Sequence, residues 1–260
     1  MSSFSGKFIW YELLTTDPEA AKAFYGSVIG WQTQPGPVPD MDYTIFTANG
    51  TGVAGLMAQP EPMQQSGAPP SWGGVVGVDD VDAAAAKVES LGGRLFMPPM
   101  DIPTVGRYAP AMDPQGAAIG LFKPFGGEGG DQDQPCLAGR VGWHELHAAD
   151  WQQAFGFYET MFGWQKAEAM DMGPMGTYQT FSAGGQQIGG MFTKPAAEPV
   201  PYWLYYLTVD DIDQALARAT KGGASVLNGP MQVPTGDWIV QARDPQGAMF
   251  ALVGKRVTAG

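Results

Sequence analysis

The chain contains two histidines, and both stand in one short segment beside a glutamate. The segment reads Trp143-His144-Glu145-Leu146-His147. In an extended strand, alternate side chains point to one face, so we expect Trp143, Glu145 and His147 to share a face. His144 would then point the opposite way. A carboxylate beside an imidazole orients the ring and raises its pKa, as in a general acid–base pair. We therefore predict Glu145 and His147 as the catalytic candidates.

Two other interpretations of this pair stay open. Glu145 and His147 could be two ligands of an incomplete metal site, or a polar pair that is satisfied inside the fold. The first half of the chain has Trp10 and Glu12 at the matching places, but Leu14 stands where the second half has His147. Only the second half could therefore use the pair. A glutamate beside tryptophan, kept in both halves, predicts either a structural contact or a ligand contact.

The elements that position these residues occur in repeated blocks. Residues Phe8–Gln32 read FIWYELLTTDPEAAKAFYGSVIGWQ, and Val141–Gln165 read VGWHELHAADWQQAFGFYETMFGWQ. A second block reads MDPQGAAIGLF at Met112–Phe122 and RDPQGAMFALV at Arg243–Val253. Self-similarity at a spacing of about half the chain indicates a duplicated domain.

Gly- and Pro-rich stretches divide the chain further. The stretch at residues 124–139, PFGGEGGDQDQPCLAG, has no apolar period and is predicted as the interdomain linker. The predicted domains are residues 1–123 and 140–260. Similar stretches at 59–70 and 194–201 split each half into two modules. The single cysteine, Cys136, excludes an intramolecular disulfide.

Each module is predicted to begin with a strand that is followed by a helix. Asp17, Asp80, Asp150 and Asp211 each precede a segment of helical apolar spacing and are the predicted N-caps. Two or three short strands follow each helix, as at residues 43–47 and 52–57 of the first module. The predicted module is therefore β-α-β-β-β, repeated four times.

Charge and composition exclude several classes of function. A net charge of −12 and a pI near 4.4 disfavour nucleic acid as a partner. No apolar stretch reaches the length of a membrane span, and the first residues do not have the pattern of a signal peptide. We expect a cytoplasmic protein that does not bind membranes and is a monomer or a homodimer.

The module order, the FY…GW helix ends and the DPQG turns resemble the vicinal oxygen chelate superfamily. This superfamily includes glyoxalase I, bleomycin-resistance proteins and extradiol dioxygenases, and the chain is most similar to its two-domain glyoxalase-like members described as hydroxylases. The resemblance implies an α+β fold with two tandem domains. Each domain would contain two βαβββ modules forming an open, cup-like curved sheet with an internal cavity.

The resemblance also implies where a metal would bind. Metal-dependent members place one ligand on the first strand of a module and a glutamate on its last strand, and several such ligands must converge. In this chain those positions are occupied by Trp10, Gly55, Gly73, Gly120, Trp143, Gly190, Leu204 and Ala251. None of these residues offers a side-chain ligand, so the sequence predicts no bound metal and no cofactor.

The resulting prediction is a protein that binds a small apolar or aromatic molecule in its domain cavity without a metal. Large aromatic side chains with a few polar groups suit such a pocket. The alternatives are a glyoxalase-type lyase or a dioxygenase or hydroxylase, and a structural protein with closed cups. Whether the protein is an enzyme stays open. The predicted ligand-binding residues are Trp10, Glu12, Tyr108, Trp143, Tyr178, Tyr206 and Trp238.

Overall fold

A computed structural model describes residues 2–39, 41–126 and 137–257 of the chain. Most of the predicted linker, together with Cys136, lies outside the described residues. The described elements follow the predicted order of four modules.

The first module contains β1 (Phe8–Thr15), α1 (Pro18–Ile29), β2 (Gln32–Pro35), β3 (Thr44–Ala48) and β4 (Thr51–Ala58), and a short helix α2 (Glu61–Gln65) follows it. The second contains β5 (Ser71–Gly77), α3 (Val81–Ser90), β6 (Arg94–Leu95), β7 (Met100–Ile102), β8 (Gly106–Met112) and β9 (Ala118–Pro124). The third contains β10 (Val141–Ala148), α4 (Trp151–Phe162), β11 (Gln165–Asp171), a 3-10 turn (Gly173–Met175), β12 (Thr177–Ala183) and β13 (Gln186–Thr193). The fourth contains β14 (Tyr202–Asp211), α5 (Ile212–Lys221), β15 (Ser225–Gln232), β16 (Trp238–Arg243) and β17 (Met249–Lys255).

The predicted caps begin the four long helices. Each capping aspartate has an extended backbone, and its carboxylate accepts a hydrogen bond from a backbone N–H in the first helical turn. Helices α1 and α4 both end at a glycine with positive φ, Gly30 and Gly163. These local signals fix where each helix starts and stops, and so where the strands before and after it run.

The strands form two mixed sheets. The strand order is β2-β3-β4-β1-β5-β9-β8-β6 in the first half, with β7 paired to β8, and β11-β12-β13-β10-β14-β17-β16-β15 in the second half. Within each module the first and last strands run parallel, and the other neighbouring strands pair antiparallel. This confirms the α+β class with two tandem domains, each made of two βαβββ modules in an open curved sheet.

The parallel register decides which residues lie beside the last strand of a module. Glu12 pairs with Gly55, and Glu145 pairs with Gly190. Trp10 and Trp143, to which the first-strand ligand position was assigned from the resemblance, lie two residues earlier. The glutamates, rather than the tryptophans, are therefore the neighbours of the two glycines.

Besides strand β7, which is largely exposed and pairs with β8, two short elements of the first half were not predicted. Strand β2 is fully exposed, so burial gives it no alternating pattern. Helix α2 buries no residue and lies in the Pro-rich stretch that was interpreted as a boundary between modules. Both elements are held by backbone pairing or by local hydrogen bonds instead of by an apolar face, which is why the sequence carried no sign of them.

Packing divides the chain into two compact units that do not follow the two halves of the sequence. The first unit takes its described residues from Met1–Trp10, Gly73–Asp131 and Trp143–Leu204. The second unit takes them from Tyr11–Trp72, Gln132–Gly142 and Tyr205–Gly260. Each unit thus combines modules from both halves. The predicted domain boundaries at residues 123 and 140 divide the sequence rather than these packing units. They therefore stay a prediction.

The core of the first unit contains a chain of hydrogen bonds that links its two modules. Trp203 Nε1 donates to Tyr158 OH at 3.0 Å, and Tyr158 OH donates to Asp113 Oδ2 at 3.0 Å. The other oxygen of Asp113 accepts from the backbone N–H groups of Gln115 and Ala117. Asp113 therefore closes the DPQG turn with one oxygen and holds Tyr158 of helix α4 with the other.

The core of the second unit repeats this arrangement. Trp72 Nε1 donates to Tyr25 OH at 2.8 Å, and Tyr25 OH donates to Asp244 Oδ2 at 3.0 Å. Asp244 Oδ1 accepts from the backbone N–H groups of Gln246 and Ala248. Burial raises the pKa of both aspartates. The hydrogen bonds that the two carboxylates accept lower the pKa and oppose this shift in part.

Among residues 2–39, 41–126 and 137–257, no helix is long and apolar enough to cross a membrane.

Candidate functional site

A buried hydrogen-bond network surrounds Glu145 in the first unit. Tyr178 OH donates to Glu145 Oε2 at 2.9 Å, and His147 Nε2 lies 3.1 Å from Glu145 Oε1. The Glu145 and His147 side chains therefore share one face of β10, as strand alternation predicted. Only 7% of Glu145 and 4% of His147 are exposed. Both carboxylate oxygens of Glu145 are thus engaged by protein groups.

The imidazole of His147 connects this buried carboxylate to a second one. His147 Nδ1 lies 2.8 Å from Glu198 Oε2, and the Glu198 side chain is 28% exposed. Burial alone would lower the pKa of His147, but the hydrogen bonds and charges of Glu145 and Glu198 raise it to about 9. At neutral pH the ring is accordingly an imidazolium that donates to one carboxylate on each side.

Aromatic rings enclose the imidazolium. Tyr202 stacks on His147 with 4.3 Å between ring centroids, and Phe192 meets the ring edge-on at 4.6 Å. An aromatic face attracts a cation and excludes water from it. The rings therefore favour both the charge and the fixed orientation of His147.

Trp143 and Tyr178 extend the network along the same strand face. Trp143 Nε1 donates to Tyr178 OH at 2.8 Å. Burial, followed by the nearby charge of Glu145, raises the pKa of the Tyr178 phenol. The phenol consequently keeps its proton and acts as the donor to Glu145. Four predicted site residues, Trp143, Glu145, His147 and Tyr178, are brought together here.

Tyrosine rings fill the space above three of the four predicted last-strand ligand positions. A Cβ added at Gly190 would overlap the ring of Tyr178, and one added at Gly55 would overlap the ring of Tyr43. At Gly120 an added Cβ would lie 2.9 Å from Tyr108 Cε2, closer than real Cβ contacts allow. Glycine at these positions is required by the close approach of a phenol.

A smaller version of this site occurs in the first half of the sequence, among residues that belong to the second unit. Tyr43 OH donates to Glu12 Oε1 at 2.9 Å, which matches the bond between Tyr178 and Glu145. Leu14 occupies the place of His147, and Glu12 and Leu14 are both half-buried. Burial raises the pKa of Glu12, and the hydrogen bond from Tyr43 opposes this shift.

The remaining predicted ligand-binding residues lie in other surroundings. Trp10 is half-buried on β1, and Tyr108 lies against Gly120. In the second unit, Tyr206 OH accepts from Gln241 Nε2 at 2.7 Å. The guanidinium of Arg256 lies 3.7 Å from the ring centroid of Trp238 and also pairs with Asp213.

His144 points away from the site, as predicted. Its ring stacks on Phe8 at 4.1 Å, and its Nδ1–H donates to the carbonyl oxygen of Ile188 at 2.6 Å. Burial lowers the pKa of His144 to about 4, and the bond to Ile188 only partly opposes this. His144 is therefore a neutral core residue.

Sequence reasoning missed Glu198. It lies in the stretch at 194–201 that was interpreted only as a module boundary, and the Lys194 ammonium donates to its backbone carbonyl. No periodic pattern marks such a loop, and residues 147 and 198 are far apart in sequence. The one signal available was an acidic residue in a short segment that follows a strand beside β10.

A metal of the kind that the fold implies does not fit these residues. Three of the last-strand positions have no side chain, and tyrosine rings take the space that a glutamate would need. Both ring nitrogens of His147 are already used by carboxylates. In the described part of the chain, no group of three histidine, cysteine, aspartate or glutamate residues has the geometry to hold a metal ion.

Comparison with known proteins identifies the class. The sequence model of the Glyoxalase/Bleomycin resistance protein/Dioxygenase superfamily matches twice, at residues 7–121 and 140–252. The chain therefore belongs to this superfamily, as a tandem repeat of its domain.

Similar proteins cover nearly the whole chain. It is 35% identical over 246 residues to "Putative glyoxylase CFP32" of Mycobacterium tuberculosis, covering 94% of this chain and 93% of that protein. It is 31% identical over 260 residues to "Anthracycline biosynthesis protein DnrV" of Streptomyces peucetius, covering 95% and 92%. A crystal structure of the Mn(II)-bound glyoxalase from Novosphingobium aromaticivorans superposes with a TM-score of 0.65 at 16% identity, over 97% of this chain and 83% of that one. At this identity the structural match establishes the fold alone.

Proposed function

We propose that this protein binds a small aromatic molecule and that it does so without a metal ion. One observation carries the proposal. At three of the four positions where the resemblance predicts a metal ligand on the last strand, the chain has glycine, and a tyrosine ring covers it. Tyr43 and Tyr178 each present a hydroxyl to a glutamate at the place where the fold would use metal ligands. A carboxylate with a phenol recognises polar groups of an organic molecule through hydrogen bonds, and needs no cation to do so.

The surroundings of these glutamates suit an aromatic ligand. Trp10 and Trp143 are half-buried on the same strand faces as Glu12 and Glu145, and large aromatic side chains of this kind suit a pocket for a small molecule. One relative is named for anthracycline biosynthesis, and anthracyclines are fused-ring aromatic compounds with phenolic oxygens. This name supports an aromatic ligand that carries hydroxyl groups.

The proposal is tested by binding measurements on protein that has been dialysed against EDTA and repurified. 1,2-Dihydroxyanthraquinone serves as the fused-ring probe, with tryptophan fluorescence and calorimetry as readouts. We expect saturable binding that added Mn, Fe, Ni or Zn does not improve. Binding that appears only with stoichiometric metal would contradict the proposal, and so would a lack of binding to this and related hydroxylated aromatics.

A second candidate function is acid–base catalysis of the glyoxalase or hydroxylase type by Glu145 and His147. The observation that favours it is the position of His147 between the buried Glu145 and the partly exposed Glu198. An imidazole with a carboxylate on each side can pass a proton between them. This candidate deepens the prediction made from the sequence and assigns Glu198 a positioning role.

The second candidate has its own test. EDTA-treated protein is incubated with the hemithioacetal of methylglyoxal and glutathione, and loss of substrate is followed at several pH values. Turnover by the wild type that His147→Gln abolishes, while circular dichroism shows an intact fold, would support catalysis. Absence of turnover, or equal turnover by the variant, would remove this candidate and leave the binding function.

A further inference from the structure

The two copies of the glutamate differ in how many of their oxygens the protein uses. Glu145 Oε2 accepts from Tyr178, and Glu145 Oε1 faces His147. Glu12 Oε1 accepts from Tyr43, and within the described chain the structure gives Glu12 no other hydrogen-bond partner. The difference arises because Leu14 replaces His147 and cannot donate a hydrogen bond.

The strand faces around the two glutamates also differ in how far their side chains are buried. Trp10, Glu12 and Leu14 on β1 are all half-buried. On β10, Glu145 and His147 are 7% and 4% exposed. The second copy is therefore closed over its polar atoms, whereas the first copy leaves a carboxylate oxygen between two partly exposed apolar side chains.

We propose that Glu12 is the residue that receives the hydroxyl group of a phenolic or enolic ligand. The ligand O–H donates to Glu12 Oε2, while Tyr43 holds Oε1 and fixes the plane of the carboxylate. Leu14 lies on the same strand face as the glutamate and contacts the aromatic part of the ligand. The Glu145 network has a structural role under this assignment. This assignment rests on the proposed binding function. It adds which copy of the glutamate binds the ligand and which chemical group of the ligand is bound.

The electrostatics of the first copy agree with this assignment. No cation faces Glu12 among its described partners, and burial raises the pKa of Glu12. A poorly solvated carboxylate with an unused acceptor gains more from an added donor than a carboxylate in water does. The site should therefore distinguish a hydroxyl from a methyl ether, which cannot donate.

The experiment compares 1,2-dihydroxyanthraquinone with its dimethyl ether in the wild type, Glu12→Gln, Leu14→His and the matched control Glu19→Gln, which removes the same charge from an exposed ion pair. Replacing a charged acceptor by a neutral one should weaken hydroxyl binding about tenfold. Leu14→His should weaken it similarly, because the new imidazole occupies the free oxygen as His147 does in the second copy. Glu19→Gln should keep wild-type affinity, because an exposed ion pair contributes little and Glu19 belongs to no proposed site. All variants should bind the dimethyl ether as weakly as the wild type does.

The outcomes separate this inference from the proposed function. Unchanged hydroxyl binding in Glu12→Gln and Leu14→His would overturn the assignment to Glu12 while leaving the binding function in place. Equal weakening in Glu19→Gln would show that the loss reflects the overall charge of the protein, and would overturn the assignment as well. Wild-type protein that binds neither compound would overturn the proposed function together with this inference. Circular dichroism of each variant establishes that the fold is retained.

Discussion

Strands β1 and β10 carry copies of one sequence block but hold their glutamates in different states. Glu145 is enclosed by a phenol, an imidazolium and, through His147, a second carboxylate. Glu12 keeps the phenol but has no imidazole, because Leu14 stands at that position. A single side-chain difference thus changes a carboxylate from satisfied to available. Under the proposed assignment, the second copy holds structure and the first copy meets a ligand.

The aromatic cores show what the duplication did not change. Tyr158 bridges Trp203 and Asp113 in the first unit, and Tyr25 bridges Trp72 and Asp244 in the second. The two sets have the same donors, acceptors and order. The copies therefore differ at the strand face and agree in the packing that ties modules of the two sequence halves together. Both the difference between the strand faces and the agreement between the cores can be tested by mutation.

The largest expected difference concerns the two glutamates themselves. Glu145→Gln leaves the His147 imidazolium without its buried counter-charge, and breaking a buried pair of this kind costs about 3 kcal/mol of unfolding free energy. Glu12→Gln removes a carboxylate that has no cation beside it, so we expect a change within about 1 kcal/mol. Urea denaturation at pH 7 measures both variants. Equal losses would show that the two copies are not distinct.

The second expected difference is in pH dependence. The folded-state pKa of His147 lies near 9, above its ordinary value of 6.5. Its stabilising contribution is therefore complete below pH 6.5 and is lost as the pH rises through 9. The melting temperature of the wild type should exceed that of His147→Leu at pH 6.5, and the gap should shrink by pH 10. The charged groups that face His147 are Glu145 and Glu198, at 3.1 Å and 2.8 Å.

An NMR titration gives an independent check on the same group. The chain has two histidines, so its imidazole signals are easily assigned with His147→Leu. We expect the His144 signal to titrate near pH 4 and the His147 signal near pH 9. A His147 signal that titrates near 6.5 would show that the two carboxylates do not hold the ring.

The sequence predicted much of the fold and part of this contrast. The aspartate caps, the glycine helix ends and the alternation on β10 are local signals, and the structure confirms them. The difference between Leu14 and His147 was visible in the repeat alone. Its consequence for the oxygens of Glu12 and Glu145 depends on side-chain distances, which no periodic pattern encodes.

Long-range partners account for most of what the sequence did not predict. Tyr25 and Tyr158 lie on the buried faces of α1 and α4, and their partners Asp244 and Asp113 belong to modules far away in the chain. Glu198 lies in a loop with no periodicity. The tyrosines above Gly55 and Gly190 required knowledge of the strand register, which places each glycine beside a glutamate.

The glycines beneath the tyrosines should respond alike in the two copies. Gly55→Ala and Gly190→Ala both place a methyl group inside the space of a phenol ring, so each should cost about 1–3 kcal/mol through forced repacking. Gly120→Ala should cost less, because the added Cβ would lie 2.9 Å from the edge of a tyrosine ring that can move. Thermal unfolding measures all three. A silent change at Gly55 with a large one at Gly190 would mean that Tyr43 does not occupy the position of Tyr178.

The smallest expected difference is between Tyr25→Phe and Tyr158→Phe. Each change removes one hydroxyl that accepts from a buried tryptophan and donates to a buried aspartate. Leaving such partners unsatisfied costs about 1–3 kcal/mol. Because the donors, acceptors and distances match, we expect the two losses in unfolding free energy to agree within about 0.5 kcal/mol. Trp72→Phe and Trp203→Phe serve as the paired controls, since each removes the donor above the same hydroxyl. Unequal losses in both pairs would show that the two cores, like the two strand faces, have diverged since the duplication.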